Sequence, residues 1–131
     1  MLTLVIAALF GCTAIAMGAY AEHGLRVRID EEAFRSVMTA VRYHQVHAVT
    51  LLALALAMLT PLNPTLVFRL GLSAGLFVLG TLMFSGSIYA AFIMDSKPLL
   101  KITPAGGMCL MVAWLSLIWA ALATGPQTIS E

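Results

Sequence analysis

Long stretches without a charged side chain are the feature that most constrains the fold of this chain. Its 131 residues include seven basic and six acidic side chains, and eleven of these lie between residues 22 and 42 or between 95 and 101. An α-helix needs about 20 mostly apolar residues to cross the hydrocarbon core of a bilayer. The charge-free windows are each long enough for one crossing, and they cover residues 1–21, 43–68, 70–94 and 102–130.

The pattern therefore predicts an all-α fold, a four-transmembrane-helix bundle in one integral membrane domain, residues 1–131. The predicted helices cover about residues 2–23, 31–60, 64–94 and 104–124. Composition agrees, because 61% hydrophobic and 10% charged residues give more apolar surface than a small soluble domain can bury. The lipid bilayer is thus the first predicted partner, and no basic run indicates nucleic acid.

Basic residues are distributed unequally between the predicted connections. Arg69 stands alone on one side of the membrane, whereas the other side has Arg26, Arg28, Arg35, Arg42, Lys97 and Lys101. Basic residues accumulate on the cytoplasmic side of membrane proteins. The pattern predicts that both termini lie on the non-cytoplasmic side of the membrane. The absence of a basic n-region favours a retained first helix over a signal peptide.

Several predicted helix boundaries have recognisable signals. Asp30 has the position of an N-cap for helix 2. Asn63 before Pro64, and Thr103 before Pro104, each place a capping side chain ahead of a proline in the first helical turn. These pairs predict where helices 3 and 4 begin. Glycine 24 suits a left-handed cap at the end of helix 1.

Polar and aromatic residues gather at the predicted cytoplasmic ends of all four helices. His44 and His47 are three residues apart and should project from neighbouring positions on one helical face. Unpaired polar groups at membrane depth are costly, so these histidines are expected to bond within the bundle, with Tyr20 or Ser87 as partners. The candidate cluster comprises Tyr20, Glu22, His23, Arg42, Tyr43, His44, His47, Ser85, Ser87, Tyr89 and Thr103.

Three interpretations of this cluster are open from the sequence. It is a structural network that joins the helix ends, a pathway for protons or a small solute, or a metal site. Histidine titrates near neutral pH, which suits a pathway. A metal site built from His23, His44, His47 and Glu22 has the least support, because no H-E-x-x-H pattern is present. The structural network is favoured, and no cofactor is predicted.

Small residues indicate where helices approach closely. Gly71 and Gly75 form a G-x-x-x-G pair in predicted helix 3, and such pairs let helix backbones come together in a bilayer. Packing within the chain is the favoured expectation for this pair. A seam between two copies of the chain is the alternative.

Two arginines near the start of helix 2 allow two interpretations. Arg35 and Arg42 lie on a stripe beside an apolar face. Their guanidinium groups either snorkel into water or contact anionic lipid. The sequence leaves both interpretations open.

Four motifs stand in order along the chain, and Trp114 follows the last of them. They are GAYAEHGL at 18–25, YHQVHA at 43–48 with a Thr-Ala pair at 39–40, FSGSIY at 84–89 and ITPAGG at 102–107. In these segments the chain resembles the bacterial domain-of-unknown-function 423 proteins, which are related to the eukaryotic transmembrane protein 256 group. The resemblance covers almost the whole chain and implies a small four-span membrane protein. Glu22 and Gly24 replace alanines of the family's usual first motif, GAFGAHAL.

The sequence predicts that this protein is not an enzyme. It has no nucleophile paired with a base and an oxyanion hole, and no phosphate-binding glycine loop. The prediction is an interaction or accessory subunit of an inner-membrane assembly, with a membrane-protein partner or a second copy. The alternative is a small oligomeric channel or transporter, for protons or a small solute, that uses the polar cluster. A conduit predicts a water-accessible cavity that reaches His47, whereas a packing module predicts filled helix contacts.

Overall fold

Helices make up nearly all of the chain that the computed structural model describes, which is residues 1–122. The α-helices are α1 (Leu2–Tyr20), α2 (Glu31–Ala57), α3 (Pro64–Thr81), α4 (Ser87–Ile93) and α5 (Thr103–Leu122). Residues 1–122 contain no strand, so the all-α prediction is confirmed. The last two residues predicted for helix 4, 123 and 124, lie outside the described residues.

Wider helical turns interrupt two of the predicted helices. π-helical turns follow α1 at Ala21–Leu25 and α3 at Leu82–Gly86. In the first of these, the N–H of Arg26 donates to the carbonyl of Ala21 at 3.0 Å. The chain thus leaves α1 through a π turn, and no described glycine has a positive φ. The predicted left-handed cap at residue 24 is therefore wrong.

Two of the predicted helix starts are confirmed and one is wrong. Asp30 accepts a hydrogen bond from the N–H of Ala33 at 2.8 Å, and Asn63 accepts one from the N–H of Thr65 at 2.8 Å. Thr103 does not cap a helix, because its own backbone is helical and continues from a 3₁₀ turn over Lys97–Ile102. Helix α2 ends at Ala57 rather than at residue 60.

The helices pack mainly in two pairs, α1 on α2 and α3 on α5, and α2 joins the pairs through α3. Small side chains fill the contacts, since Ala14, Ala21, Ala40 and Ala113 are fully buried. One apolar cluster lies towards the charged connections and includes Val37 and Tyr89. The other lies towards the opposite ends and includes Leu51, Phe77 and Leu110.

Glycine allows the backbones of α5 and of the second π turn to approach closely. A Cβ atom added to Gly106 would overlap the backbone nitrogen of Phe84 and lie 2.7 Å from the carbonyl carbon of Met83. A Cβ added to Gly80 would lie 2.8 Å from the side chain of Leu110. At both positions only glycine fits between the helices. The contacts of α5 with α3 and the second π turn, which include Gly80 with Leu110 and Gly106 with Phe84, are called the α3–α5 seam below.

Three helical segments are long and apolar enough to cross a membrane, namely Leu2–Leu25, Pro64–Ile93 and Lys97–Leu122. Helix α2 is not among them, although it has 27 residues. It contains Arg42, Tyr43, His44, Gln45 and His47 within two turns, and these polar side chains lower its hydropathy. Of the four predicted transmembrane helices, three therefore meet this criterion among residues 1–122, because counting charges alone overlooked the neutral polar residues of α2.

Candidate functional site

His44 lies at the centre of a chain of polar contacts that crosses three helices. Its Nε2 atom is 3.5 Å from the hydroxyl of Thr13 in α1, and its Nδ1 atom is 3.5 Å from the hydroxyl of Tyr89 in α4. The Thr13 hydroxyl donates to the carbonyl of Leu9 at 2.8 Å, so it accepts from His44. A neutral ring with its proton on Nε2, accepting from Tyr89 at Nδ1, satisfies every partner. His44 thus ties α2 to α1 and α4.

His47 is held by a different set of partners. Its Nδ1 atom is 2.7 Å from the carbonyl of Tyr43, which can only accept, so Nδ1 is protonated. The indole N–H of Trp114 in α5 donates to Nε2 at 3.4 Å. The ring also stacks near Phe77 of α3, with 5.5 Å between centroids. Both ring nitrogens are engaged by a neutral imidazole.

The two histidines therefore do not form a shared site. His44 is directed towards α1 and α4, whereas His47 is directed towards α3 and α5. Both are buried, with 8% and 3% of their surface exposed. Their spacing of three residues places them on adjoining parts of α2, as predicted, but the rings diverge. Each histidine joins α2 to a different pair of helices.

Serine hydroxyls connect the second π turn and α4 to their neighbours. Ser85 donates to the carbonyl of Ala40 in α2 at 2.8 Å. Ser87 donates to the carbonyl of Phe84 at 3.0 Å and lies 2.7 Å from the hydroxyl of Thr103. Since the Ser87 proton is used within its own helix, Thr103 donates to Ser87. These bonds fix the register of α2, α4 and α5.

The other members of the predicted cluster are exposed. Glu22 forms an ion pair with Arg26 at 2.7 Å. The hydrogen bond in this pair, and to a smaller extent the charge of the carboxylate, raises the pKa of the Arg26 guanidinium. The ring of Tyr43 packs on that of Phe84, with 4.6 Å between centroids. The predicted single cluster thus separates into buried contacts and an exposed set, which is Tyr20, Glu22, His23, Arg42 and Tyr43.

The residues considered for a metal site are not brought together. Among residues 1–122, no group of three or more His, Cys, Asp or Glu side chains could hold a metal ion. His23 and Glu22 are exposed in the first π turn. The imidazoles of His44 and His47 are buried and bonded to other helices.

Sequence reasoning missed the partners of the histidines. Tyr20 and Ser87, the expected partners, bond to neither ring: Ser87 pairs with Thr103, and Tyr20 leans over Gly24. A usable signal was the spacing of Phe10 and Thr13, which are three residues apart and both contact His44. Helical spacing places such residues on one face. Thr81 was also missed, and its buried hydroxyl has no hydrogen-bond partner among the described residues.

The Gly71 and Gly75 pair is open rather than packed. A Cβ atom at either position would meet no atom of another helix within 4 Å among the described residues. Both glycines are exposed and line a groove of about 330 Å³ with Thr3 and Ile6 of α1. The favoured expectation that this pair packs within the chain is therefore wrong for residues 1–122. Close approach occurs instead along the α3–α5 seam.

The sequence motifs meet one another in space. Gly106 of the fourth motif lies against the backbone of Phe84 in the third, and Ser85 bonds to the carbonyl of Ala40 in the second. A Cβ added to Gly18 of the first motif would lie 3.5 Å from Val41. What the motifs have in common is contact between helices.

Comparisons with known proteins lead to one group of membrane proteins. A family model described as "Protein of unknown function (DUF423)" matches residues 17–107. A UPF0382 membrane protein of Haemophilus influenzae is 35% identical over 118 residues, which are 90% of this chain and 91% of that protein. The UPF0382 inner membrane protein YgdD of Escherichia coli strain K12 is 27% identical, over 98% of this chain and 95% of its own length. No solved structure matches this chain.

Proposed function

This chain belongs to the DUF423 family, and on that premise we propose that it is a four-span inner-membrane protein that serves as a non-catalytic interaction or accessory subunit. The supporting observation is how its polar groups are used. His44, His47 and Ser85 are buried and bond to other helices or to their own backbone. Side chains engaged in this way stabilise helix packing.

The proposal includes a membrane crossing by α2, despite its polar residues. His44 and His47 are buried, whereas Val46 and Val49 are 54% and 66% exposed. After Gln45, α2 keeps His47 inside and has aliphatic side chains outside, which is the arrangement expected in lipid. The same arrangement would be unfavourable for a helix in water.

Cysteine labelling on either side of α2 tests this crossing and its direction. Val27→Cys and Thr60→Cys, each in a variant without Cys12 and Cys109, place one thiol before and one after the helix. We expect an impermeant reagent to label Thr60→Cys in intact cells and Val27→Cys only after permeabilisation, because basic residues mark the cytoplasmic side. Labelling of both thiols from outside would show that α2 does not cross, and the opposite pattern would reverse the orientation.

The surface proposed for contact with another chain is the open face of α3 at Gly71 and Gly75. Glycine pairs four residues apart allow helix backbones to pack closely in a bilayer, and no other helix of the described chain comes within 4 Å of a Cβ placed on either glycine. The occupant proposed here is a transmembrane helix, from a second copy or from a partner protein. Exposure of the pair in the single chain supports the proposal.

Leucine substitution tests this contact. We expect Gly71→Leu with Gly75→Leu to reduce crosslinked oligomers or partner adducts in native membranes, because added bulk keeps backbones apart, while the melting temperature in detergent stays that of the parent. Gly11→Leu is the control, since a Cβ at half-buried Gly11 in α1 also has nothing within 4 Å. A double variant that assembles like the parent would remove the proposed contact, as would an equal loss in Gly11→Leu.

A further inference from the structure

Two adjoining clefts open on the surface between α2 and α5. Their volumes are about 410 and 220 Å³, and the larger one falls within the usual size range of ligand sites. Tyr43, His47 and Trp114 line both clefts. They are therefore two parts of one groove, which is called the α2–α5 groove below.

The walls of the larger part are apolar and adaptable. Met108 and Met111 of α5 line it and are 63% and 61% exposed. Phe84 and Trp114 add aromatic surface. Methionine is unbranched and adapts to flexible apolar partners. An apolar, flexible occupant such as an acyl chain matches these walls.

The smaller part has one cationic group, the guanidinium of Arg42. Arg42 forms no ion pair or hydrogen bond within residues 1–122, whereas Arg26 pairs with Glu22 and Arg35 lies 3.7 Å from Glu31. An unpaired guanidinium in a membrane helix is costly. Its planar donor groups match the oxygen atoms of a phosphate.

The depth of Arg42 fits a lipid headgroup. Side chains of an α-helix tilt towards its N-terminus, and α2 begins at Glu31 beside the charged connection. The guanidinium is therefore directed towards the membrane surface at which that connection lies. The methionine walls belong to α5, which begins at Thr103 after a turn containing Lys97 and Lys101, at the same end of the bundle.

We propose that the α2–α5 groove is a binding site for an anionic phospholipid. Arg42 holds the phosphate, and an acyl chain lies along Met108 and Met111 beside Trp114. Charge complementarity accounts for the headgroup, and the apolar walls account for the chain. Free phosphate would leave those walls without a partner. The groove is lined by α2 and α5, so the site does not depend on the contact proposed at Gly71 and Gly75.

Tryptophan fluorescence of the full chain in vesicles tests the site. Trp119→Phe leaves Trp114 as the only tryptophan, which then reports on lipids in the groove. Phosphatidylglycerol with brominated chains is titrated against phosphatidylcholine with the same chains, and we expect about fivefold preferential quenching by phosphatidylglycerol. Arg42→Gln should abolish this preference. Arg35→Gln, which removes an arginine from the same helix outside the groove, should keep it.

Three results would overturn the proposal. Equal quenching by both lipids with Arg42 intact would remove the site, and that result needs no Arg42 variant to fold. Equal loss of preference in Arg35→Gln would show general surface attraction instead of a groove. Displacement of brominated phosphatidylglycerol by inorganic phosphate would assign Arg42 to free phosphate. Arg42→Lys keeps the charge and should retain a preference above that of Arg42→Gln.

Discussion

Glycines on α3 and α5 have two different surroundings. Along the α3–α5 seam, Gly80 and Gly106 lie against atoms of the facing helix that leave no room for a Cβ. Two turns away on α3, Gly71 and Gly75 face open space in the described chain. Gly80 shares its residue type and its helix with Gly71 and Gly75, but its neighbours differ. A glycine pattern alone therefore does not show which helix it contacts.

The difference follows from how helices associate in lipid. Acyl chains are as apolar as leucine, so burial of apolar surface does not drive one helix towards another there. Close packing and hydrogen bonds must hold the helices together. The seam has both, because Gly106 admits the backbone of Phe84 and the hydroxyls of Ser73 and Ser116 lie 2.7 Å apart. The open face has neither within residues 1–122.

The largest expected effect on stability comes from replacing glycine by alanine in the α3–α5 seam and, for comparison, on the open face of α3. Gly106→Ala should destabilise the protein by about 3 kcal/mol, the upper end of typical overpacking, because the new methyl group meets backbone that cannot move aside. Gly71→Ala should not destabilise it, since alanine favours a helix over glycine by up to about 1 kcal/mol. Reversible unfolding in mixed detergent measures both changes.

Gly107→Ala is the control for this comparison. A Cβ there would lie 3.7 Å from the ring of Phe84, which is an ordinary contact. Its stability should remain close to that of the parent. Equal destabilisation by Gly106→Ala and Gly71→Ala would show that the open face is packed after all.

Substitution of either histidine should lower the free energy of unfolding by less than Gly106→Ala does. The histidines test hydrogen bonds between helices separately from close backbone packing. His44→Ala should lower the free energy of unfolding more than His47→Ala does, because His44 bonds to two other helices, at Thr13 and Tyr89, whereas His47 bonds to one, at Trp114. Each lost bond between helices is worth about 0.6 to 1.7 kcal/mol. Reversible unfolding of both variants in mixed detergent measures the difference between their free energies of unfolding.

Gln45→Ala serves as the control on the same helix, because Gln45 is exposed and its loss should leave stability unchanged. Proton and solute flux into liposomes is measured for all three variants. Normal stability with lost flux in His44→Ala or His47→Ala would favour the conduit over the packing module. Lower stability without any flux in the parent would support the packing module.

Sequence reasoning succeeded where a local pattern decides the outcome. Asp30 and Asn63 cap helices as predicted, since a cap depends on residues within one turn. It was less successful wherever a contact joins distant residues. The partner of His44 on α1 is Thr13, 31 residues away, and that of His47 on α5 is Trp114, 67 residues away. No local rule pairs such positions.

Charge-free windows and apolar composition by themselves determined that this chain is a helical membrane protein, because a continuous apolar segment of about 20 residues crosses lipid as a helix, which satisfies its own backbone polar groups. Only the tertiary structure decided how that chain is held together. In the structure His44 and His47 bond to different helices, and Val46 is exposed. Gly106 packs against another backbone, whereas Gly71 does not. The physical reason is that hydropathy acts on each helix independently, whereas packing and hydrogen bonding depend on the atoms that a neighbouring helix places opposite.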